Sequence, residues 1–478
     1  MKSLLLLSFI FLWSLSLRGQ PSRFVMLEES HLNKIESTID GGLLLLPQQD
    51  ILSSECDPPY TSSFFKTTPE GETQWGAVYK GSRIHSFTQD RQGNIYLSGA
   101  QDISYVRPNL FLAMLTPQGN PLWSLELPVE GVFRDGIITA AGNMVTCGSI
   151  RTTTDFLDFL AAFNPHGDMI WAKSIVPGSQ ELGIWDHHIA SSGRTMLLAT
   201  TASYEGCCLD QPFSLVTFSE DGLLSSANLF YEKQSMEDPN LYSVIEVNGI
   251  VSDTARSILY GTLALRTPTP ENDPDSMPMD FTTEDFCFLI ALDNEQNILW
   301  SRRIGLEHFG WNALLQEDGS VILASADSPA TILQFNSTGD LIRSFNLFRR
   351  STLADIPDDA IIDLGEPTNG ILLSTITSTG TDRVAAGCWI DVPSSQGQSV
   401  RTALLDFDLA LPPSCLITTP LKAEVSSLEF VREPFPLEFR DIDNLDAFPV
   451  VLKVEANRIE TTDLCADFPP AENGKAEE

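Results

Sequence analysis

The 478-residue chain carries 64 acidic and 29 basic side chains, and its formal charge of −35 at pH 7 argues against binding to nucleic acid or to an anionic membrane, because both need basic patches. With 42% hydrophobic residues, 31 Gly and 29 Pro, the chain can bury a large core and is rich in residues that form turns. We therefore expect a large, acidic, all-β protein.

The N-terminus has the features of a signal peptide. Lys2 precedes an apolar run from Leu4 to Leu17, and Gly19 is a small residue close to the expected cleavage site. The run is too short to span a bilayer comfortably, and no later stretch resembles a transmembrane segment. We therefore expect residues 1–19 to be removed and the mature protein to be exported, extracellular or periplasmic, with its eight cysteines in an oxidising compartment.

Residues 20–409 contain a repeated four-strand unit, shown most clearly by residues 84–127. In this copy, QGN and PQGN form two glycine turns between apolar strands, and Trp123 begins the fourth strand. The tryptophan turn recurs as TPEGETQW, TPQGNPLW and NPHGDMIW, so that Trp75, Trp123 and Trp171 are spaced by 48 residues. This length is typical of one blade of a β-propeller, about 40 to 50 residues.

We predict an all-β, seven-bladed β-propeller, with six or eight blades as alternatives. Each tryptophan is expected to pack against the adjacent blade, because a single blade has no core of its own. The apolar segment from Phe24 to Glu29 precedes the first copy and is expected to close the ring by pairing with the last blade. In the seventh copy, from Ala360 to Leu409, we place the first turn at Asn369.

Residues 410–478 depart from the repeat and are expected to form a small C-terminal β extension with an acidic tail. Cys415 and Cys465 bracket its strands, and we expect them to form a disulfide, worth on the order of 4 kcal/mol for a loop of this size. The adjacent Cys207 and Cys208 either bond to each other or pair elsewhere, with Cys56 as a candidate. The cysteines that lie in predicted strands, Cys147, Cys287 and Cys388, are expected to be buried.

Long connections fall on one face of the predicted ring, opposite the glycine turns, and we call this the top face. Insertions on one face of a repeat protein usually mark its working surface. The insertion from Arg266 to Asp285 contains six acidic residues that could bind calcium, although a solvated acidic flap is the favoured interpretation.

The first strand of each blade should line the central channel, and alignment on the following turn brings one set of residues to its top mouth. The aligned positions hold Lys34, His85, Arg134, Trp185 and Trp311, and the next positions hold Asp135, Asp186 and Asn312, with His187 close by. Basic, aromatic and amide groups in a ring suit a sugar or a peptide. The alternative is that they only pack and hydrogen-bond at a narrow channel mouth.

The turns in TPEGETQW, TPQGNPLW and NPHGDMIW resemble the propeller repeats of secreted bacterial proteins, many of which are exported by the type IX system, and also those of quinoprotein propellers. The quinoprotein resemblance implies a vicinal cysteine pair, which Cys207 and Cys208 would match. It also implies eight blades and a calcium site with Glu, Asn and Asp ligands, which cannot be placed in this sequence.

The favoured function is a binding or scaffolding module that holds a protein, peptide or glycan through its top face, without catalysis. One alternative is a glycan-active or quinoprotein-type enzyme, which should bring acids and bases together at the channel mouth. Another is a periplasmic assembly scaffold, which the docking of an edge strand or an extended peptide on the ring would support.

Overall fold

A computed structural model of the chain describes residues 23–463 except for 28–31, 48–60, 70, 102–108, 152–155, 178–181, 193–194, 205–210, 239–240, 269–280, 307–310, 326–328, 350–370, 381–382, 395–396, 410–415, 443–446, 451, 453 and 457–460. The predicted signal peptide lies outside these residues. The described residues form strands apart from turns and one short helix, α1 (Lys233–Glu237), so the prediction of an all-β propeller is confirmed.

The strands pair antiparallel in units of four, which we call blades. Blade 1 contains β2 (Leu32–Ser37), β3 (Leu43–Pro47), β4 (Thr61–Thr67) and β5 (Thr73–Lys80). Blade 2 contains β6 (Ser82–Gln89), β7 (Ile95–Gln101), β8 (Asn109–Leu115) and the first part of β9 (Pro121–Ile138). Blade 3 contains the second part of β9, β10 (Met144–Arg151), β11 (Phe156–Phe163) and β12 (Met169–Pro177).

The next three blades repeat this order from the channel outwards. Blade 4 contains β13 (Leu182–Ser192), β14 (Thr195–Tyr204), β15 (Phe213–Ser219) and β16 (Leu224–Glu232). Blade 5 contains β17 (Tyr242–Ser252), β18 (Arg256–Pro268), β19 (Phe281–Asp293) and β20 (Ile298–Gly305). Blade 6 contains β21 (Trp311–Leu315), β22 (Val321–Ser325), β23 (Ala330–Phe335) and β24 (Leu341–Arg349).

Blade 7 joins the two ends of the repeat region. Its first three strands are β25 (Ile371–Gly380), β26 (Arg383–Ser394) and β27 (Gly397–Asp408), and its fourth is β1 (Arg23–Leu27), which pairs with β27. The predicted closure by the N-terminal strand is confirmed. The turn placed at Asn369 is wrong, because β25 is the innermost described strand of this blade and its pairing with β26 ends at Gly380 and Arg383.

The buried side chains of the described residues form seven hydrophobic clusters, and each cluster lies between two neighbouring blades. One of them joins Leu32 and Leu43 of blade 1 to Ala385 and Leu404 of blade 7, so the apolar packing is continuous around the ring. The third strands are buried on both faces, as the run from Leu110 to Leu115 in β8 shows. No blade has a core of its own, and each depends on its neighbours for the burial of its apolar faces.

Tryptophans connect consecutive blades on the bottom face. The ring of Trp75 lies across Gly119 of blade 2, and its indole Nε1 donates to the carbonyl oxygen of Pro117 at 3.0 Å. Trp123, Trp171 and Trp300 make the same two contacts with blades 3, 4 and 6. The predicted packing of tryptophan against the adjacent blade is confirmed, and we call this contact the tryptophan clasp.

Blade 4 has Ser226 in place of the tryptophan, and the facing turn of blade 5 differs accordingly. Its glycine position is occupied by Gln296, which adopts a φ of 64°. The Gln296 side chain donates to Ser226 Oγ at 2.9 Å and accepts from Asn228 at 3.1 Å. A side chain is present in this turn where no indole ring covers it, which indicates that the glycines elsewhere make room for the ring.

The C-terminal segment encircles the propeller and adds a fifth strand to the outer edge of each blade. We call this segment the belt. In chain order it consists of β28 (Leu416–Pro420) on blade 6, β29 (Glu424–Ser427) on blade 5, β30 (Phe430–Pro434) on blade 4, β31 (Leu437–Asp441) on blade 3, β32 (Phe448–Pro449) on blade 2, β33 (Val454–Ala456) on blade 1 and β34 (Thr461–Asp463) on blade 7.

The belt is held by backbone pairing together with a few repeated side-chain contacts. Serines that follow the tryptophan position donate to carbonyl oxygens of the belt, in the pairs Ser124 with Val450, Ser301 with Leu428 and Ser344 with Leu421. Leu428, Phe435 and Leu437 of the belt are buried against the blades. The segment after residue 409 therefore pairs with every blade and forms no sheet of its own among the described residues.

The predicted disulfide cysteines Cys207, Cys208, Cys415 and Cys465 lie outside the described residues. Cys147, Cys287 and Cys388 lie in strands and are buried, as predicted. The belt strands next to Cys415 and Cys465 are β28 and β34, which lie on the neighbouring blades 6 and 7. A bond between these two cysteines would therefore join the two ends of the belt.

The tryptophan clasp predicts a large difference between two Gly→Ala substitutions. Gly119 and Gly81 both have positive φ, but a Cβ at Gly119 would lie 2.9 Å from the Trp75 ring, whereas a Cβ at Gly81 would meet nothing within 4 Å. We expect Gly119→Ala to destabilise the protein by at least about 1 kcal/mol more than Gly81→Ala, because only Gly119→Ala adds a clash to the backbone strain. Denaturant unfolding measures both, and equal losses would contradict the clasp.

The belt gives the predicted Cys415–Cys465 disulfide a measurable consequence. We expect a reducing agent to lower the Tm of the wild-type protein but not that of a Cys415→Ser, Cys465→Ser double variant, because the bond restricts the unfolded chain over the whole belt. The variant itself should melt below the oxidised wild type. Thermal unfolding with and without reductant tests this, and an identical response of both proteins would exclude the bond.

Candidate functional site

Most of the inner strands carry a β-bulge at the top mouth of the channel. The register of the inner strand against its neighbour shifts in blades 1, 2, 3, 4, 5 and 7. In three of these bulges the extra residue is His85, Arg134 or Asn248. A bulge leaves its extra residue out of the ladder and redirects the side chain. The repeated bulges therefore turn polar side chains into the channel.

These side chains surround a cavity of about 380 Å³ at the channel mouth. Six of the nine side chains predicted for the mouth line it, namely Lys34, His85, Arg134, Asp135, His187 and Asn312. The remaining lining residues are Ile35, Ser86, His188, Asn248, Tyr260, Ala313, Thr375 and Ile376. The cavity is therefore assembled from all seven blades, and no blade contains the site alone.

A chain of polar contacts crosses one side of the cavity. Lys34 Nζ donates to Ser86 Oγ at 2.9 Å, and Ser86 Oγ donates to Asp135 Oδ1 at 3.2 Å. Lys34 Nζ is 3.8 Å from the same carboxylate oxygen, and the other oxygen of Asp135 accepts the backbone N–H of Ile189 at 3.3 Å. Asp135 thus links four blades and has little freedom to reorient.

Two of the three histidines that line the cavity, His85 and His187, are neutral at neutral pH. Burial lowers the pKa of His187 to about 3, and the charges of Arg134 and His188 add to this effect. Burial lowers the pKa of His85 to about 4, together with the charges of Arg83 and Arg134. His187 Nε2 is 3.4 Å from Asp158 Oδ1, but the geometry does not form a hydrogen bond. With a neutral imidazole, this contact is no ion pair.

Several polar groups of the cavity have no protein partner. His187 is 3% exposed, and neither of its ring nitrogens makes a hydrogen bond to the described residues. The same holds for the buried side-chain oxygen of Asn248. Arg134 is exposed, and its guanidinium makes no hydrogen bond or ion pair with the described part of the chain. A buried polar group without a partner is costly, so His187 and Asn248 are suited to a polar ligand, and the exposed guanidinium of Arg134 is accessible to the same ligand.

Trp311 does not line the cavity, although it was predicted at the mouth. Its side chain is 2% exposed and packs in the cluster between blades 5 and 6. The reason is that β21 pairs with β22 in regular register, without the bulge of the other inner strands. Asn312 faces the cavity instead and donates to the Ser374 carbonyl oxygen at 2.9 Å. Trp185 and Asp186 lie in β13, but their side chains are outside the described set.

The sequence alignment missed Asn248 and Tyr260. The dipeptide of Asn248 and Gly249 was the available signal, because a glycine inside a strand often marks a bulge or a close approach. A Cβ at Gly249 would lie 2.2 Å from the Tyr260 hydroxyl, so the glycine is what allows this second-strand side chain to reach the cavity.

A metal site is not formed by the part of the chain that the structure describes, since no three His, Cys, Asp or Glu side chains there are grouped to hold an ion. The acidic insertion considered for calcium lies mostly outside that part, as do most of the long top-face loops. Among the described residues there is no helix with the length and apolar character needed to cross a bilayer.

Comparison with known proteins gives similarity in structure only. No family model matches the chain, and no curated protein matches it. A Penicillium chrysogenum α-L-arabinanase is similar over 82% of this chain and 99% of its own, with 11% identity and a TM-score of 0.41. The polysaccharide lyase Uly1 covers 79% and 90%, with 7% identity and a TM-score of 0.46. A Bacteroides caccae protein of unknown function covers 59% and 93%, with 13% identity and a TM-score of 0.31. Similarity this low carries no activity or substrate to this chain.

Glu36 lies on β2 two residues after Lys34 and therefore on the same side of the strand, deeper in the channel. Burial raises its pKa to about 7, while Lys34 and the backbone N–H of Gln89 oppose this shift. Between its ordinary pKa of 4.5 and about 7, the folded state holds a proton that the unfolded chain releases. Stability is therefore lost as the pH rises through this range.

The substitution Glu36→Gln should remove this loss. We expect the variant to gain on the wild type as the pH rises, by about 1 to 3 °C in Tm at pH 8, and to show no such gain below pH 4.5. The matched control is Glu72→Gln, which removes a carboxylate from an exposed turn. Thermal unfolding across this pH range checks the prediction, and a pH-independent difference would contradict it.

Proposed function

We propose that this protein is an exported binding module that holds a glycan at the channel mouth of its propeller. The observation that carries the proposal is the wall of the cavity, in which hydrogen-bonding side chains from many strands converge and several have no partner among the described residues. Imidazole, amide and guanidinium groups arranged in this way complement the hydroxyl groups of a sugar. Export is supported by the signal peptide predicted for residues 1–19.

A glycan is favoured over a protein or peptide because of the belt. A peptide that docks by strand addition needs an unpaired sheet edge, and specificity then comes from pockets beside that edge. The belt occupies the outer edge of every blade. This arrangement also weighs against an assembly scaffold that captures extended segments. A compact polar ligand inside the channel needs no such edge.

A second candidate is a glycan-active enzyme, and one observation favours it. The cavity brings the neutral imidazoles of His85 and His187 close to Asp135 and to the Arg134 guanidinium. A neutral imidazole can accept a proton at neutral pH, and the low pKa of both rings makes each a weak base. Binding without turnover therefore remains the first proposal.

The proposal is tested by thermal shift and calorimetry with a set of neutral and acidic oligosaccharides. We expect at least one class to stabilise the protein, and the double variant His85→Ala, Asn248→Ala to bind it at least about tenfold more weakly, because two side chains of the cavity wall are lost. Gln118→Ala, in an exposed bottom turn, is the control and should bind as the wild type does.

The same samples separate binding from catalysis. Unchanged oligosaccharides after long incubation support a binding module, whereas new reducing ends or shortened products would assign the site to an enzyme. Failure of every oligosaccharide to stabilise the protein would contradict glycan binding altogether.

A further inference from the structure

The channel mouth has an electrostatic character opposite to that of the whole protein. Its charged wall consists of Lys34 and Arg134 against the single carboxylate of Asp135, and both His85 and His187 are neutral at neutral pH. Lysine and arginine side chains in the wall therefore outnumber carboxylates, in a chain whose net charge is −35. The acidic side chains elsewhere on the protein repel an anionic ligand. A locally positive cavity therefore indicates a place where an anion can bind.

Arg134 differs from the arginines that have a structural role. Arg151, in the same blade, is 2.8 Å from Glu130, and Arg383 forms two hydrogen bonds with Asp406 at 2.9 and 3.0 Å. No acidic side chain among the described residues forms such a pair with Arg134. Arg134 is the arginine that lines the cavity, so its guanidinium is accessible to a ligand there.

Two features prepare Arg134 for a ligand. It is the extra residue of the bulge in β9, opposite Cys147 and Gly148, so that the ladder does not hold it. Its charge also lowers the pKa of both His85 and His187, which places the guanidinium near the two rings. The planar guanidinium can bind a carboxylate through two parallel hydrogen bonds, a geometry that an ammonium group cannot provide.

We propose that the channel mouth selects an acidic sugar, with a uronic acid carboxylate on Arg134 and the ring hydroxyls against Asn248, Asn312 and the neighbouring imidazoles. This inference rests on the proposed glycan binding and specifies the class of glycan. The carboxylate of a peptide could meet the same guanidinium. The polar wall around it, however, fits the many hydroxyl groups of a sugar better than an amide backbone with apolar side chains.

The experiment compares trigalacturonate with its methyl ester by titration calorimetry. Esterification removes the charge and the bidentate contact, and it adds a methyl group to each carboxylate. We expect the acid to bind the wild type at least about tenfold more tightly than the ester, and higher salt to weaken binding of the acid alone. Arg134→Gln should bring the two affinities within about twofold, and Arg134→Lys should keep part of the preference. Arg440→Gln, which removes the same charge from the belt, should leave the preference unchanged.

The outcomes distinguish the two proposals. Equal binding of acid and ester by the wild type would overturn the acidic-sugar inference and leave glycan binding standing. A preference that survives Arg134→Gln would also overturn it. Binding of neither trimer, while neutral oligosaccharides bind, would overturn this inference alone. Binding of no sugar at all would remove both proposals. A short peptide with a free C-terminal carboxylate that binds more tightly than the acid would assign the site to peptides.

Discussion

The contact between an indole ring and a glycine turn sets the relation between consecutive blades. A glycine with positive φ leaves a flat surface on which Trp75, Trp123, Trp171 and Trp300 can lie, while each indole N–H fixes the neighbouring carbonyl. Blade 4 is consistent with this relation, because it has Ser226 in place of the tryptophan and the facing turn has Gln296 in place of the glycine. The clasp joins blades that cannot bury their apolar faces alone.

Two further elements complete the ring at its ends and its edges. The N-terminal strand β1 becomes the fourth strand of the last blade, and the belt covers the outer edge of every blade. Unpaired sheet edges invite pairing with other chains, and the belt covers the outer edge of each blade. Because these edges are covered, we expect a ligand to bind in the channel and not at the rim of the propeller.

The channel mouth shows how a rigid ring supports a site that is unfavourable by itself. Among the described residues, the polar atoms of His187 and Asn248 have no partner, and Arg134 faces the cavity without an ion pair. Such groups cost stability unless a ligand or solvent satisfies them. They are tolerated because apolar clusters between blades hold the inner strands from both sides. Stability thus resides between the blades and recognition at the mouth, where bulges release side chains from the sheet.

The sequence by itself determined the repeat, the glycine turns, the packing of tryptophan on the next blade and the closure by the N-terminal strand. These features follow from local turn chemistry and from strand patterns that recur within one blade length. Six of the nine residues that the alignment predicted at the mouth line the cavity, because the inner strands occupy equivalent places. Only the tertiary structure decided where bulges shift the register, and that shift separates Arg134, which faces the cavity, from Trp311, which packs in the core.

The belt was likewise decided by the tertiary structure. Its short strands have little apolar periodicity of their own, and they become strands because each finds an open edge on a blade far away in sequence. Tyr260 reaches the channel from a second strand for a similar reason, since only the fold places it beside Gly249. Local pattern fixed the blades, and pairing between distant segments fixed the belt and the final composition of the site.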